Sequence, residues 1–259
     1  MCTLGLYFRV FPGYPIVTAA NRDEVVTRPS APPTQLWSAP RIWAGQDLLA
    51  GGTWFGINEH GVVAGILNRQ ASYPPDPRRR SRGLLCFNAL KYPSAQAAAQ
   101  FAAAQPASHY NPFTLVLVDP SSAYIVHTAD PTPQLHYLPP GVYLFTNRDF
   151  NDRTCPRIAH FLPRFLQLQA PLIKGSVGLS ELFSQLGTIL AAHDETQGPR
   201  HSLCLHLDSY GTCSSTLLAY CTHDHRYTYR FAAGPPCQNL YRDVSVPPCP
   251  SASQPPSTT

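Results

Sequence analysis

The sequence predicts an α+β fold, with two antiparallel sheets packed together and covered by helices. Three observations carry that reading. Short apolar runs separated by turn residues cluster at both ends of the chain. Two helical groups lie between them. A chain of 259 residues that is 44% hydrophobic and only 13% charged holds enough apolar side chain for a full core. Residues 1–246 read as one domain. The Pro/Ser/Thr-rich stretch 247–259 has no periodicity and reads as a disordered tail.

Residues 3–10 read as a strand, Phe11-Pro12-Gly13-Tyr14-Pro15 as a tight turn and 16–20 as the returning strand. A proline-rich loop, 29–40, follows. A second antiparallel pair spans 48–58 and 62–68, turning at Glu59-His60-Gly61. Ser81-Arg82-Gly83 opens a helix that runs to 90, and Ser94 caps an alanine-rich helix that runs to 104. Residues 113–119, 123–127, 135–138 and 142–146 read as a meander, and 154–168 as a helix containing Pro156 and Pro163. Leu179, Leu182, Phe183, Leu186, Ile189 and Leu190 fall at helical spacing, which predicts an amphipathic helix over 177–192. Strands at 202–207, 214–220 and 227–231 complete the reading.

Composition narrows the function classes. A net charge of +4, with Lys91 and Lys174 the only lysines, is too mild to argue for nucleic acid, and the arginine run at 78–82 reads as a solvated loop. Residues 2–10 lack the basic and long apolar segments of an export signal, and no apolar run approaches the ~20 residues of a membrane span. The eight cysteines form no CxxC pair and read as reduced thiols, so the cytoplasm is the expected compartment.

The chemistry concentrates at the start of the chain. Cys2 follows the initiator methionine, and removal of Met1 would leave a thiol and a free α-amine on one residue. The thiol is a nucleophile, and the amine is a base with a reference pKa of ~7.7–8.0. The first hairpin returns Asn21-Arg22-Asp23-Glu24 beside Cys2. Asp23 or Glu24 can orient the amine, and Arg22 can favour the thiolate or bind a substrate carboxylate. Asn68 and Asn147 end predicted strands and carry amide donors suited to an oxyanion, although turn residues of the same kind are common. A metal site competes: Cys204-Leu205-His206 and Cys221-Thr222-His223-Asp224-His225 bring thiols near imidazoles. Their spacing matches no known zinc pattern, so no metal or other cofactor is assigned.

Several motifs recur in a fixed order: Met1-Cys2-Thr3, Asn21-Arg22-Asp23-Glu24, Gly51-Gly52-Thr53-Trp54-Phe55-Gly56, Ser81-Arg82-Gly83, Asn147 after Phe145-Thr146, and Tyr210-Gly211-Thr212 before Ser214-Ser215-Thr216. Over about residues 1–235 this series resembles the NRDE family, which includes the transport and Golgi organisation protein 2 proteins. That family is similar to the cysteine N-terminal nucleophile hydrolases, among them choloylglycine hydrolases, penicillin V acylases and acid-ceramidase-like amidases. The resemblance implies a four-layer αββα sandwich and an amidase or acyltransferase acting on a non-peptide C–N amide. It implies Cys2 as nucleophile, Asp23 as the amine-holding carboxylate, and Asn68 and Asn147 as the paired asparagines, the second at the oxyanion. Asn21, Glu24, Trp54, Arg82 and Arg148 are the expected substrate contacts, and loops 28–47 and 70–80 the expected source of specificity. Two departures stand out. Arg22 and Asp23 are adjacent where the hydrolases separate them, and Cys213 stands where an arginine is expected, so that either Arg22 or Arg148 supplies the cation or activity is weakened. The expected partner is a small-molecule amide. The alternative is a non-catalytic carrier of an apolar ligand, haem or an acyl group, because eukaryotic members are linked with lipid homeostasis and haem handling.

Overall fold

A computed structural model describes residues 1–129, 132–169, 178–194 and 198–249. The two sheets are antiparallel. One has six strands in the order β10-β1-β2-β11-β12-β13, and the other runs β3 to β9 in chain order. The first sheet is built around β1 (Thr3–Phe11) and β2 (Tyr14–Val25), flanked by β10 (Gly141–Phe145) and β11 (Tyr210–Cys221), with β12 (Arg226–Ala232) and β13 (Arg242–Asp243) outermost. The second holds β3 (Ser30–Ser38), β4 (Arg41–Asp47), β5 (Phe55–Asn58), β6 (Val63–Asn68), β7 (Phe113–Val118), β8 (Ala123–Ala129) and β9 (Thr132–Tyr137).

The period of two along β1 sorts its side chains into layers. Leu4, Leu6 and Phe8 point to the other sheet and meet Ile57, Val63, Val116 and Ile125 in the central core. Tyr7 points the other way, into a layer with Ile158, Phe161 and Phe165 of α3 (Pro156–Gln167) and Phe183 and Leu186 of α4 (Leu179–Leu190). The outer face of the second sheet packs on α1 (Arg82–Ala89) and α2 (Ala95–Ala103). Ala95, Ala98, Ala99 and Ala102 are wholly buried there, and their small side chains let α2 lie close against the strands. The result is a four-layer αββα sandwich. Ser81 and Ser94 accept from Gly83 N and Ala97 N and so cap α1 and α2, as their sequence positions predict.

The structure corrects several elements. The expected loop 29–40 contains strand β3, which leads into β4. Pro32 and Pro33 are tolerated because β3 is an edge strand whose register shifts between Ala31 and Thr34. The fourth strand of the expected meander, β10, leaves the second sheet and pairs with β1. Residues 48–54 are turn and coil before a short β5. The expected strand 202–207 makes only a single bridge, His206 to Gly211, and β11 begins at Tyr210. Strand β2 runs on through Val25, so residues 21–24 lie within the sheet. Of the tail, 250–259 lie outside the described residues, while Cys249 is buried and donates its amide to His225 O at 2.9 Å. Among the described residues, no helix is long and apolar enough to cross a membrane.

Candidate active site

Cys2 immediately precedes β1 at the middle of the six-stranded sheet. Pairing of Thr3 with Asn21 places β2 alongside it, and β11 pairs with β2 on the far side. The thiol is half-buried. Asp23 N donates to Cys2 Sγ at 3.4 Å, and Sγ reaches Asp23 O at the same distance. Burial pushes the thiol pKa up. The N-terminal ammonium pulls it down, the Asp23 carboxylate pushes it up, and the Asp23 amide and Arg22 pull it down. The net shift is upward.

Behind the thiol, Asp23 is a fully buried carboxylate with partners on every side. Its Oδ2 lies 3.5 Å from the N-terminal ammonium and 3.2 Å from Arg157 Nη1. Thr212 donates its hydroxyl to Oδ1 at 2.7 Å. The Tyr210 hydroxyl donates to Asp23 O at 2.8 Å and accepts from the N-terminal ammonium at 2.8 Å. Arg157, buried in α3, also donates to Met1 O, to Thr3 Oγ1 at 3.1 Å and to Arg200 O at 3.3 Å. A lone buried carboxylate would cost several kcal/mol, and this network offsets that cost.

In front of the thiol lies a cavity of about 540 Å³ lined by Cys2, Arg22, Glu24, Trp54, Asn68 and Arg82 among others. Arginines outnumber carboxylates in its wall five to three. Arg22 is only 6% exposed, and its guanidinium stacks over Trp54 at 4.4 Å. Among the described residues no carboxylate pairs with it, and its Nη1 has no hydrogen-bond partner. Such an uncompensated buried cation is suited to an anionic group. Arg82 is brought to the rim by Gly52, which has φ +77°. A Cβ on Gly52 would lie 2.3 Å from Gly83 C, so only glycine lets the start of α1 come this close.

The profile of the transport and Golgi organisation 2 family matches residues 1–230 of the 259. The chain belongs to that family. The Transport and Golgi organization 2 homologs of mouse and human are each 29% identical to it over 160 residues. Each alignment covers 57% of this chain and 57% of the relative, so the match spans little more than half the length of either. Penicillin V acylase from Agrobacterium tumefaciens superposes with a TM-score of 0.56 at 15% identity, over 94% of this chain and 86% of that one. A variant of conjugated bile acid hydrolase from Clostridium perfringens gives 0.57 at 13%, over 94% and 92%. The N-acylethanolamine-hydrolyzing acid amidase ortholog from Caenorhabditis elegans gives 0.58 at 11%, over 84% and 92%. These likenesses concern the fold, which this member of the transport and Golgi organisation 2 family shares with them.

The structure gathers most of the residues singled out from the sequence of this family member. Cys2, Arg22, Glu24, Trp54, Asn68 and Arg82 share the cavity, and Asp23 lies directly behind it. Asn147 follows β10. Its carbonyl accepts from Gln70 N at 2.7 Å. Two residues fall elsewhere. Asn21 turns towards the helical layer, donating to Leu190 O and Leu203 O, both at 2.9 Å, because alternation along β2 sends residues 21 and 23 to that face. Arg148 is exposed and lines a separate cavity with Arg69, His127 and Asp149. Cys213 is the extra residue of a bulge in β11, and Arg22 pulls its thiol pKa down against the burial that raises it. Sequence reasoning overlooked Arg157. Its signal was a charge on the apolar stripe formed by Ile158, Phe161, Leu162 and Phe165. Tyr210 and Thr212 were recognised as a motif, but their hold on Asp23 was not. Of the thiols and imidazoles weighed for a metal, Cys204 and His206 do meet, joined by His193 and Cys237 rather than by His223.

Proposed function

We propose that this chain is a cysteine amidase or acyltransferase of the N-terminal nucleophile type, acting on a small non-peptide amide that carries an anionic group. The observation that carries this reading is the α-amine held 3.5 Å from the buried Asp23 carboxylate, while the Cys2 thiol is bonded to the backbone of that same residue. Removal of Met1 moves the free α-amine onto Cys2 itself, one carbon away from the carbon that bears the thiol. Asp23 and the Tyr210 hydroxyl, which hold the Met1 amine, are then the groups that receive it.

In the proposed reaction the α-amine takes the Cys2 proton, and the thiolate attacks the amide carbonyl. The oxyanion is stabilised by the Asn147 side chain and a backbone N–H, a contribution of roughly 2.7–4 kcal/mol per donor in such sites. The ammonium then protonates the departing amine as the C–N bond breaks, leaving a thioester. Water (or a second amine) attacks the thioester, the acid or new amide departs, and the thiol is restored. Arg22 receives the substrate's anionic group or steadies the thiolate. The charged cavity wall supports this over carriage of an apolar ligand, which would leave the buried Arg22, with its unpartnered Nη1, facing apolar atoms.

Intact-mass analysis and iodoacetamide labelling test the reading. The expected result is loss of Met1, labelling of Cys2 ahead of the other cysteines, and hydrolysis of an N-acyl amino acid panel that Cys2→Ala abolishes. Retention of Met1, or a Cys2 no faster than the other seven cysteines, overturns it.

A further inference from the structure

On the far side of the β2–β11 pair from the cavity, four side chains converge that the proposed reaction does not use. His193 follows the C-terminal end of α4, Cys204 and His206 lie in the segment before β11, and Cys237 lies in the turn after β12. One ligand atom from each falls within 4.8 Å of all the others. Cys204 Sγ is 3.4 Å from Cys237 Sγ and 3.6 Å from His206 Nε2, and His206 Nε2 is 3.1 Å from Cys237 Sγ. In a tetrahedral zinc site, bond lengths of about 2.3 Å to sulfur and about 2.0 Å to nitrogen separate neighbouring ligand atoms by roughly 3.3–3.8 Å. The three separations scatter around that range.

We infer that His193, Cys204, His206 and Cys237 form a binding site for one divalent ion of the zinc class, with two thiolates and two imidazoles. Four protein ligands close the coordination shell, so the site is structural rather than catalytic. Its donors are soft and borderline, which favours zinc over magnesium or calcium. On binding, Cys204 and Cys237 each release a proton to solvent.

The surrounding backbone is fastened as a site requires. Cys204 N donates to Ala192 O at 3.1 Å, which ties its segment to the end of α4 beside His193. Leu205 N donates to Thr212 Oγ1 at 2.8 Å, and the same hydroxyl donates to Asp23 at 2.7 Å. The Cys237 turn is closed by Gln238 N and Asn239 N, both donating to Pro235 O at 3.0 Å. A bound ion would thus clamp α4, the 203–206 segment and the β12 turn together, and brace the strand that holds Asp23. The ligands are spread over residues 193, 204, 206 and 237, so no short sequence pattern announces them.

Elemental analysis of untagged, full-length protein purified without chelator tests this, together with cobalt(II) titration followed by absorption. The exposed positions His193→Ala and Cys237→Ser supply variants that spare the buried core. The expected result is one zinc per chain and, after exchange, the visible bands of tetrahedral thiolate-bound cobalt. Each variant should weaken cobalt binding by at least about tenfold. Chelator should lower the melting temperature of the wild type and leave Cys237→Ser unmoved. The inference is overturned if the protein takes up neither metal, if both variants bind cobalt as the wild type does, or if mass mapping finds Cys204 and Cys237 joined as a disulfide.

Discussion

Arg157 Nη1 lies 3.2 Å from Asp23 Oδ2, and neither side chain has any exposed surface. Each is the main reason the other can be buried. Removing one partner leaves an unpaired charge in the core, a loss of about 3–5 kcal/mol in comparable pairs. Arg157→Leu should therefore lose stability on that scale in urea denaturation. Arg157→Leu with Asp23→Leu should lose far less than the two single changes summed, because no orphaned charge remains. A loss below ~1 kcal/mol for Arg157→Leu would show that Asp23 is held by its hydroxyl partners instead.

A second expectation concerns the neighbouring residue on β2. Arg22 lowers the pKa of the Cys2 thiol from the cavity side and, among the described residues, has no carboxylate to neutralise it. Arg22→Gln removes that cation, so the thiolate fraction at pH 8 falls. A drop of roughly twofold to threefold in the iodoacetamide rate at Cys2 is expected as the thiol pKa rises. Because Cys213 occupies the β11 bulge beside Arg22, adding Cys213→Arg to Arg22→Gln should recover part of the lost rate. Unchanged labelling in Arg22→Gln would assign this side chain to substrate binding alone.

The degree to which this was legible in the sequence follows from which forces are local. Helix caps at Ser81 and Ser94 and the turn at Pro12-Gly13 depend on residues within a few positions, and all of them appear where expected. Strand β3 is hidden because prolines at 32 and 33 suit a loop as well as an edge strand, and only the partner strand decides. Strand β10 has ordinary strand composition, and its transfer to the other sheet rests on pairing with β1, more than 130 residues away. The site divides the same way. Cys2 and residues 21–24 are joined by one hairpin and could be placed together. Arg157 and the His193–Cys237 cluster assemble across the fold, and residue spacing alone does not reveal them.

Gly52 offers a test of how tightly the cavity rim is built. It has φ +77°, and an added Cβ would meet Gly83 C at 2.3 Å and Leu84 N at 2.5 Å, both backbone atoms with little room to move. Gly52→Ala should cost about 2–4 kcal/mol through strain and overlap. It should also displace the start of α1, and with it Arg82, from the rim. Gly13, at φ +76° with nothing within 4 Å, is the control: Gly13→Ala carries the backbone cost without the clash. If both substitutions cost the same, the close approach of residues 52 and 83 contributes little.

The last prediction concerns pH and the first residue. With Met1 present, burial dominates and the Cys2 thiol titrates above the ordinary range of a free thiol. At pH 7–8 it is then almost wholly protonated, and labelling should keep rising as the pH passes 9. With Met1 removed, an ammonium sits on the same residue as the thiol and favours the thiolate, while its free-base form, with a reference pKa of ~7.7–8.0, accepts the proton. The processed chain should therefore label at Cys2 at least about tenfold faster at pH 7.5 than a chain extended by one residue before Met1, which blocks excision. Its rate should level off at a lower pH. Labelling across pH 6–10, read by mass spectrometry at Cys2 alone, separates the two curves. Superimposable curves would mean that the α-amine does not act on the thiol, and the proposed proton transfer would fall with it.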